Sequence, residues 1–260
     1  MHILFFAVSL IASIAGSICG IGGGVIIKPT LDLFAFTSVE VVSFLSGCTV
    51  LAMSGYSVIT AVVKKEHRVN KTTSLPLALG GAVGGLLGKH LFTMVRLAFN
   101  NSNVVGGVQS VCLALITLGA LMYTLKRAGI KTHRVKNFFA CVIIGLVLGA
   151  MSGFLGIGGG PINLVVLYFF FSEDTKTAAQ NSLYIILFSQ LASLIASIAT
   201  KTVPPFEWTS LVLMVLGGVL GGFIGRQINK KISARTVEKL FVFLMVVIIG
   251  FSIYNAIQYF

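Results

Sequence analysis

Charge is scarce in this sequence, and acidic charge most of all. Only 10% of the 260 residues are charged, with 7 Asp and Glu against 19 Lys and Arg. In contrast, 56% of the residues are hydrophobic and the mean hydropathy is +0.99. A soluble domain needs more polar side chains than this to cover its surface. The composition therefore excludes a soluble fold and predicts an all-α polytopic integral membrane protein.

The chain also lacks the residue patterns of metal, redox and hydrolytic sites. Its four cysteines lie singly in apolar stretches, without the paired spacing of a zinc site, a redox motif or a disulfide framework. There is no His-Glu-x-x-His motif, and no carboxylate falls clearly at the centre of an apolar stretch. We therefore predict a protein that is not an enzyme and that binds no cofactor and no metal. The acidic residues near predicted segment ends are Asp32, Glu40, Glu173, Asp174, Glu207 and Glu238.

What the chain has in abundance is apolar stretches long enough to cross a bilayer. A helix needs about 20 apolar residues for this, because the hydrocarbon core is about 30 Å thick. About eight stretches qualify, and their approximate bounds are 3–27, 39–63, 73–95, 104–125, 138–171, 177–200, 207–228 and 239–259.

The formal net charge of +12 comes from Lys and Arg gathered in short connections between these stretches. Such clustering is the positive-inside pattern of membrane proteins, in which basic loops stay in the cytoplasm. It predicts a multi-pass membrane protein, with the lipid bilayer as a partner and no nucleic acid.

Landmarks recur through the two halves of the chain at a nearly constant offset. Gly20-Ile21-Gly22-Gly23-Gly24, the first glycine motif, returns as the second glycine motif, residues 156–160. The ladder GGxxGGxxGK over residues 80–89 returns as GGxxGGxxGR over 217–226. The recurrence predicts two internal repeats. We assign 1–125 to the first membrane repeat, 126–137 to a basic cytoplasmic linker and 138–260 to the second.

Two topologies fit the eight stretches. If all eight cross once, the basic run from Arg226 to Lys239 lies opposite the other two basic clusters, against the positive-inside rule. If each stretch with a glycine motif is re-entrant, the repeats are inverted and all three clusters are cytoplasmic. We prefer the second, because re-entrant backbone is tolerated at membrane depth where it lines a cavity or is buried in protein.

The glycine motifs have two interpretations. Small residues four apart let transmembrane helices touch, as Gly16, Gly20 and Gly24 could. However, Gly22-Gly23-Gly24 in succession weakens a helix more than one contact requires, and Pro161 after Gly160 favours the start of a new helix. Such a start presents unpaired N–H groups and a positive dipole end, which together attract an anion. We therefore expect both motifs to face a central cavity that holds a small anion.

Polar side chains near the motifs fit the same substrate. Asn163, Asn181 and Ser182 can donate hydrogen bonds to an oxyanion, although each could instead bond a neighbouring helix. Lys89 and Arg226 are the cations that end the glycine ladders. They could attract an anion at a cavity mouth or extend to the membrane interface.

The paired glycine motifs and ladders resemble those of the TauE/SafE family of sulfite and organosulfur-anion exporters, over nearly the whole chain. The resemblance implies a duplicated plasma-membrane permease without a prosthetic group. It places Gly22, Gly23, Gly24, Gly158, Gly159, Gly160 and Pro161 in the family signature. The first motif departs from the second, because Val25 follows it where Pro161 follows the other.

We therefore predict a secondary transporter that moves a small anion, sulfite or an organosulfonate, by alternating access. An anion channel that uses the same glycine-lined cavity is the alternative. The glycine-rich faces could pack within one chain or between two, so a homo-oligomer stays open.

Overall fold

Across residues 2–34, 37–64, 71–99 and 102–259, which the computed structural model describes, the chain forms α-helices and no strand. Eight of these helices are long and apolar enough to cross a membrane. The helices are α1 His2–Cys19, α2 Gly24–Phe34, α3 Val39–Val63, α4 Lys71–Phe99, α5 Ser102–Lys126, α6 Phe138–Leu155, α7 Pro161–Phe171, α8 Thr175–Ala199, α9 Trp208–Lys231 and α10 Ala234–Tyr259.

The structure corrects the bounds of the two stretches that carry glycine motifs. The stretch at 3–27 divides into α1 and α2, and α2 continues to Phe34. Its end was underestimated because Lys28 and Pro29 interrupt the apolar run although both are buried in α2. The stretch at 138–171 divides into α6 and α7 in the same way. Each break falls at a glycine motif, where the backbone takes positive φ values.

Helices α1 and α2 form a re-entrant hairpin. At the tip, the Cys19 thiol donates to the Val237 carbonyl near the start of α10 (3.8 Å). Beyond the turn, Asn255 near the end of α10 donates to the carbonyl of Pro29 in α2 (2.8 Å). The start of α10 thus contacts the end of α1, and the end of α10 contacts α2. Helix α2 therefore runs back toward the face from which α1 came.

Helices α6 and α7 form a second hairpin, which enters from the opposite face. The N–H groups of His133 and Val135, just before α6, donate to the carbonyls of Phe169 and Phe170 at the end of α7 (2.7 and 2.9 Å). The end of α7 thus lies beside the start of α6.

The six remaining long helices cross the membrane once each, and basic residues gather at one of the two faces where they end. The Arg226 guanidinium near the end of α9 donates to the Ser57 carbonyl near the end of α3 (2.7 Å), so these helices end at one face. Helices α3, α5 and α9 therefore end at that face, together with the described residues of their basic clusters, while residues 65–70 of the first cluster lie outside the described residues. By the positive-inside rule it is the cytoplasmic face.

Each glycine ladder packs against the hairpin in the other half of the chain, α4 against α6 and α9 against α1. Methyl groups added at Gly80, Gly84 and Gly88 would overlap backbone carbonyls of α6. Those added at Gly217, Gly221 and Gly225 would overlap serine side chains and backbone carbonyls of α1. The ladders are therefore used inside one chain, which lets backbones approach as small residues do in membranes. The outer surfaces of the helices carry exposed apolar side chains that suit lipid, including Leu97, Phe139 and Ile257.

Replacing Gly84 by Leu tests the ladder contact. Its side chain would collide with the carbonyl of Leu146, and we expect a loss of stability of roughly 1–3 kcal/mol or more. Gly119 on α5 is the matched control, because nothing lies within 4 Å of its added Cβ. Thermal unfolding in detergent should show a lower Tm for Gly84→Leu than for Gly119→Leu. Equal Tm values would contradict the close approach of α4 and α6.

Candidate functional site

The second glycine motif is a sharp turn that only glycine accommodates easily. Gly156, Gly158, Gly159 and Gly160 have φ values of 65°, 80°, 122° and 83°. Side chains with a Cβ are rarely found in this region, whereas glycine enters it without steric cost. Pro161 is the first residue of α7, where its missing N–H and fixed φ suit a helix start.

The first motif turns less strongly. Gly20 and Gly22 have φ values of 77° and 76°, and α2 begins directly at Gly24. Gly23 packs against Ser13 of α1, so the chain has already reversed at this point. The motif needs fewer left-handed residues than its counterpart and no proline to start the helix.

The two motifs touch each other. The N–H of Gly160 donates to the carbonyl of Ile21 (3.1 Å), so a hydrogen bond joins the halves. On the other side of the contact, a methyl group added at Gly24 would overlap the carbonyl of Ile157. Both N-terminal helix ends, those of α2 and α7, thus lie at one place.

This contact lies near the membrane midplane and is buried in protein. Val50 and Ile186, from the middle of α3 and α8, flank Gly22 and Gly158, and both are fully buried. Ile21 and Ile157 are 0% and 1% exposed. From the sequence, both helix ends are predicted to face a central cavity. Instead, the glycine motifs pack directly on one another, because residues without side chains can approach to backbone contact.

Two polar cavities lie on opposite sides of the contact. The outer one, toward the outer face, has a volume of about 30 Å³. Its polar lining residues include Ser43, Gln109, Gln190, Ser193, Ser197 and the half-buried Lys89. The Lys89 ammonium also lies 5.0 Å from the centre of the Phe92 ring.

The inner cavity, toward the cytoplasmic face, has a volume of about 40 Å³ and contains the second ladder cation, Arg226. Its lining also includes Lys176, Gln180, Asn229 and Lys230. Among the described residues, neither cavity is lined by a carboxylate. Each cavity thus contains the cation that ends one glycine ladder.

The polar residues predicted for the site lie at different depths in the membrane. Asn163 is 1% exposed, lies against Gly159 at the midplane, and its Oδ1 has no hydrogen-bond partner in the described chain. Ser182 and Ser46 lie at matching distances after the two motifs. Both are 0% exposed, and neither hydroxyl is bonded to a described residue.

Asn181 lies nearer the cytoplasmic face, in a hydrogen-bonded chain. Its Nδ2 donates to Glu173 (2.5 Å), and its Oδ1 accepts from the Ser74 hydroxyl (3.0 Å). Glu173 is in the connection between α7 and α8, and burial raises the pKa of its carboxyl to about 7. The Asn181 hydrogen bond opposes this shift and Asp174 adds to it. The structure therefore brings Asn181 to a titratable group rather than to the midplane.

Sequence reasoning missed a buried ion pair. In α2, Lys28 and Asp32 lie 2.8 Å apart with side chains 4% and 2% exposed. Their spacing of four residues in a helix was the available signal, but their position near the end of an apolar stretch suggested solvent. Within the described chain, no group of His, Cys, Asp and Glu side chains could hold a metal ion.

The helices, the opposed hairpins and the buried polar residues define a multi-pass membrane protein. A family model described as "Sulfite exporter TauE/SafE" matches residues 5–252, so the chain belongs to the TauE/SafE family. It is also similar to the "Probable membrane transporter protein YunE" of Bacillus subtilis (strain 168), with 24% identity over 98% of each chain. No solved structure matches the chain significantly. Family and relative make it a membrane transporter, while the internal duplication and its boundaries stay predictions.

Substituting Glu173 by Gln tests its buried carboxyl. A folded-state pKa near 7, above the ordinary 4.5, stabilises the fold only while the proton is held. That contribution is complete below the ordinary pKa and is lost as pH rises toward 7. We expect the wild-type Tm to fall relative to that of Glu173→Gln across this range, as measured by tryptophan fluorescence. Glu207→Gln, at a side chain 61% exposed, is the control and should follow the wild type. Parallel curves for Glu173→Gln and the wild type would contradict the assignment.

Proposed function

We propose that this protein is a secondary transporter that moves a small anion, sulfite or an organosulfonate, across the plasma membrane by alternating access. The observation that carries the proposal is the pair of polar cavities on opposite sides of a closed midplane. Such a pair is expected of a transporter caught between its two open states, with the substrate site at the midplane.

The charges support an anion. Lys89 belongs to the outer cavity and Arg226 to the inner one, and no described carboxylate lines either. Between them lie the starts of α2 and α7, whose dipoles are positive at that end. An anion would meet favourable charge along the whole route, whereas a cation would be repelled.

The proposed binding site combines backbone and side chains around the two glycine motifs. When the two motifs separate and the hydrogen bond from Gly160 to Ile21 breaks, N–H groups of Gly22–Gly24 and Gly158–Gly160, together with the start of α7 at Pro161, would contact the oxyanion. Asn163 and Ser182 would add hydrogen bonds, since both are buried and have an atom unbonded to any described residue. Asn181 would act at the inner side, with Lys89 and Arg226 at the two entrances.

The anion channel is less well supported. A channel needs a continuous path, whereas Ile21, Val25 and Ile157 fill the midplane and are at most 1% exposed. The description of the matching family model names sulfite, whereas the description of the Bacillus subtilis relative names no substrate. For this chain the substrate class thus rests on the family name and on the cavity charges.

Purified protein in proteoliposomes tests the function. We expect saturable uptake of sulfite, thiosulfate or sulfoacetate, stimulated by the same anion inside, and no comparable uptake of acetate or chloride. Stimulation by internal substrate is the signature of alternating access, because a channel has no return step to accelerate. Single-channel currents would instead support the channel, and transport of none of these anions would overturn the proposal.

Gly159→Leu tests the role of the glycine motifs. Gly159 has a φ of 122°, and its added Cβ would lie 2.5 Å from the Asn163 amide nitrogen. The strain, roughly 1–3 kcal/mol, would move the proposed site, so flux should fall to background while membrane insertion persists. Gly23→Leu should act likewise, and Gly119→Leu should transport normally. Unchanged flux in both motif variants would contradict a backbone site.

A further inference from the structure

The Lys28–Asp32 ion pair has no counterpart in the second half. The residues at matching distances after the second glycine motif are Leu164 and Tyr168, both buried. The same hairpin architecture is therefore built there without charge. A buried ion pair is also a poor source of stability, because removing both charges from solvent costs about as much as their attraction returns. The pair is thus better explained by a function than by folding.

Asp32 has spare hydrogen-bonding capacity beside a small cavity. Its Oδ2 accepts from Lys28, but its Oδ1 has no partner among the described residues. The adjoining cavity of about 10 Å³ is lined by both members of the pair, by Gln109 of α5 and by Ile157 of the second motif. This volume suffices for about one water and is too small for a sulfonate.

Gln109 connects this small cavity with the outer cavity, since it lines both. Its amide nitrogen donates to the Phe154 carbonyl (2.6 Å), while its Oε1 has no partner within the described chain. Water hydrogen-bonded to this Oε1 would give a proton a path between the outer cavity and Asp32, whereas the small cavity cannot admit the transported anion.

Other titratable groups near Asp32 come from α3 and α10. Glu40 of α3 lies 3.5 Å from Arg96, and Tyr259 at the end of α10 interacts electrostatically with both Asp32 and Glu40. Helix α1 has titratable groups only at its ends, and the α5 residues that line the cavity are uncharged. Lys28 is thus the cation bonded to Asp32, and Tyr259 interacts electrostatically with Asp32 from the end of α10.

We propose that Asp32 carries a proton that moves together with the transported anion. A proton from the outer cavity binds Asp32 and neutralises it, which leaves the Lys28 ammonium without its counter-charge. An anion at the neighbouring second motif then replaces that charge, so a monoanion that enters with one proton leaves the net charge of the site unchanged, and a dianion adds one negative charge. By reciprocity, anion binding favours protonation as much as protonation favours anion binding. This inference rests on the proposed function.

The test uses proteoliposomes with thiosulfate and methanesulfonate, whose charges do not change near neutral pH, so that any pH effect belongs to the protein. Wild-type protein should accumulate at least one of them when the outside is acidic, with proton uptake recorded by an internal pH dye. Asp32→Asn should keep anion exchange within about twofold and lose accumulation driven by the pH gradient. Glu207→Gln, an exposed carboxylate at the same face, is the control and should retain both.

The outcomes separate the two proposals. Wild-type exchange without proton movement would overturn the role of Asp32 and leave the transporter assignment intact. Gradient-driven accumulation by Asp32→Asn would overturn it as well. Absence of exchange in the wild type would overturn the proposed function, and this inference with it. If Asp32→Asn does not fold, the double variant Lys28→Met/Asp32→Asn, which leaves no unpaired buried charge, replaces it, and gradient-driven accumulation by that variant would overturn the role of Asp32.

Discussion

The backbone contact between the two glycine motifs is the constraint on which the rest of the structure depends. A helix that breaks at membrane depth leaves polar groups that lipid cannot satisfy, so the break must be buried in protein. Here each break is buried by the other, and the N–H of Gly160 bonds the carbonyl of Ile21. Residues with side chains could not approach so closely. The contact also closes the midplane between the outer cavity and the inner cavity.

The glycine ladders allow the same close backbone approach along whole helices. Helix α4 of the first half packs on α6 of the second, and α9 of the second half packs on α1 of the first. Each half therefore contacts the hairpin of the other along a glycine ladder. A movement of one hairpin therefore has to slide along a ladder contributed by the opposite half. Smooth surfaces without side-chain interdigitation suit such sliding. The ladder cations then enter cavities at opposite faces, which gives both routes the same sign of charge.

Much of this fold could be predicted from the sequence, because hydrophobic length and glycine or proline breaks act locally. The helix start at Pro161 follows from the fixed φ of proline, and the opposed hairpins from the basic clusters at one face. The direct contact of the motifs could not be predicted, since it depends on how two distant segments pack. The Lys28–Asp32 pair was missed for a related reason: charged residues near a segment end are usually solvated, and these are buried because α2 packs against α1, α3 and α10. The position of Asn181 could not be predicted either, because its amide donates to Glu173 instead of lying at a midplane site.

The central claim is that the motifs separate two cavities that open alternately. Cysteines placed at Ser193 in the outer cavity and at Gln180 in the inner one, with the native cysteines replaced, test it in sealed vesicles of known orientation. The account predicts that an impermeant thiol reagent modifies Ser193→Cys only from outside and Gln180→Cys only from the cytoplasmic side. A transported sulfur oxyanion should raise one rate while lowering the other. Modification of both positions from the same side would contradict the account.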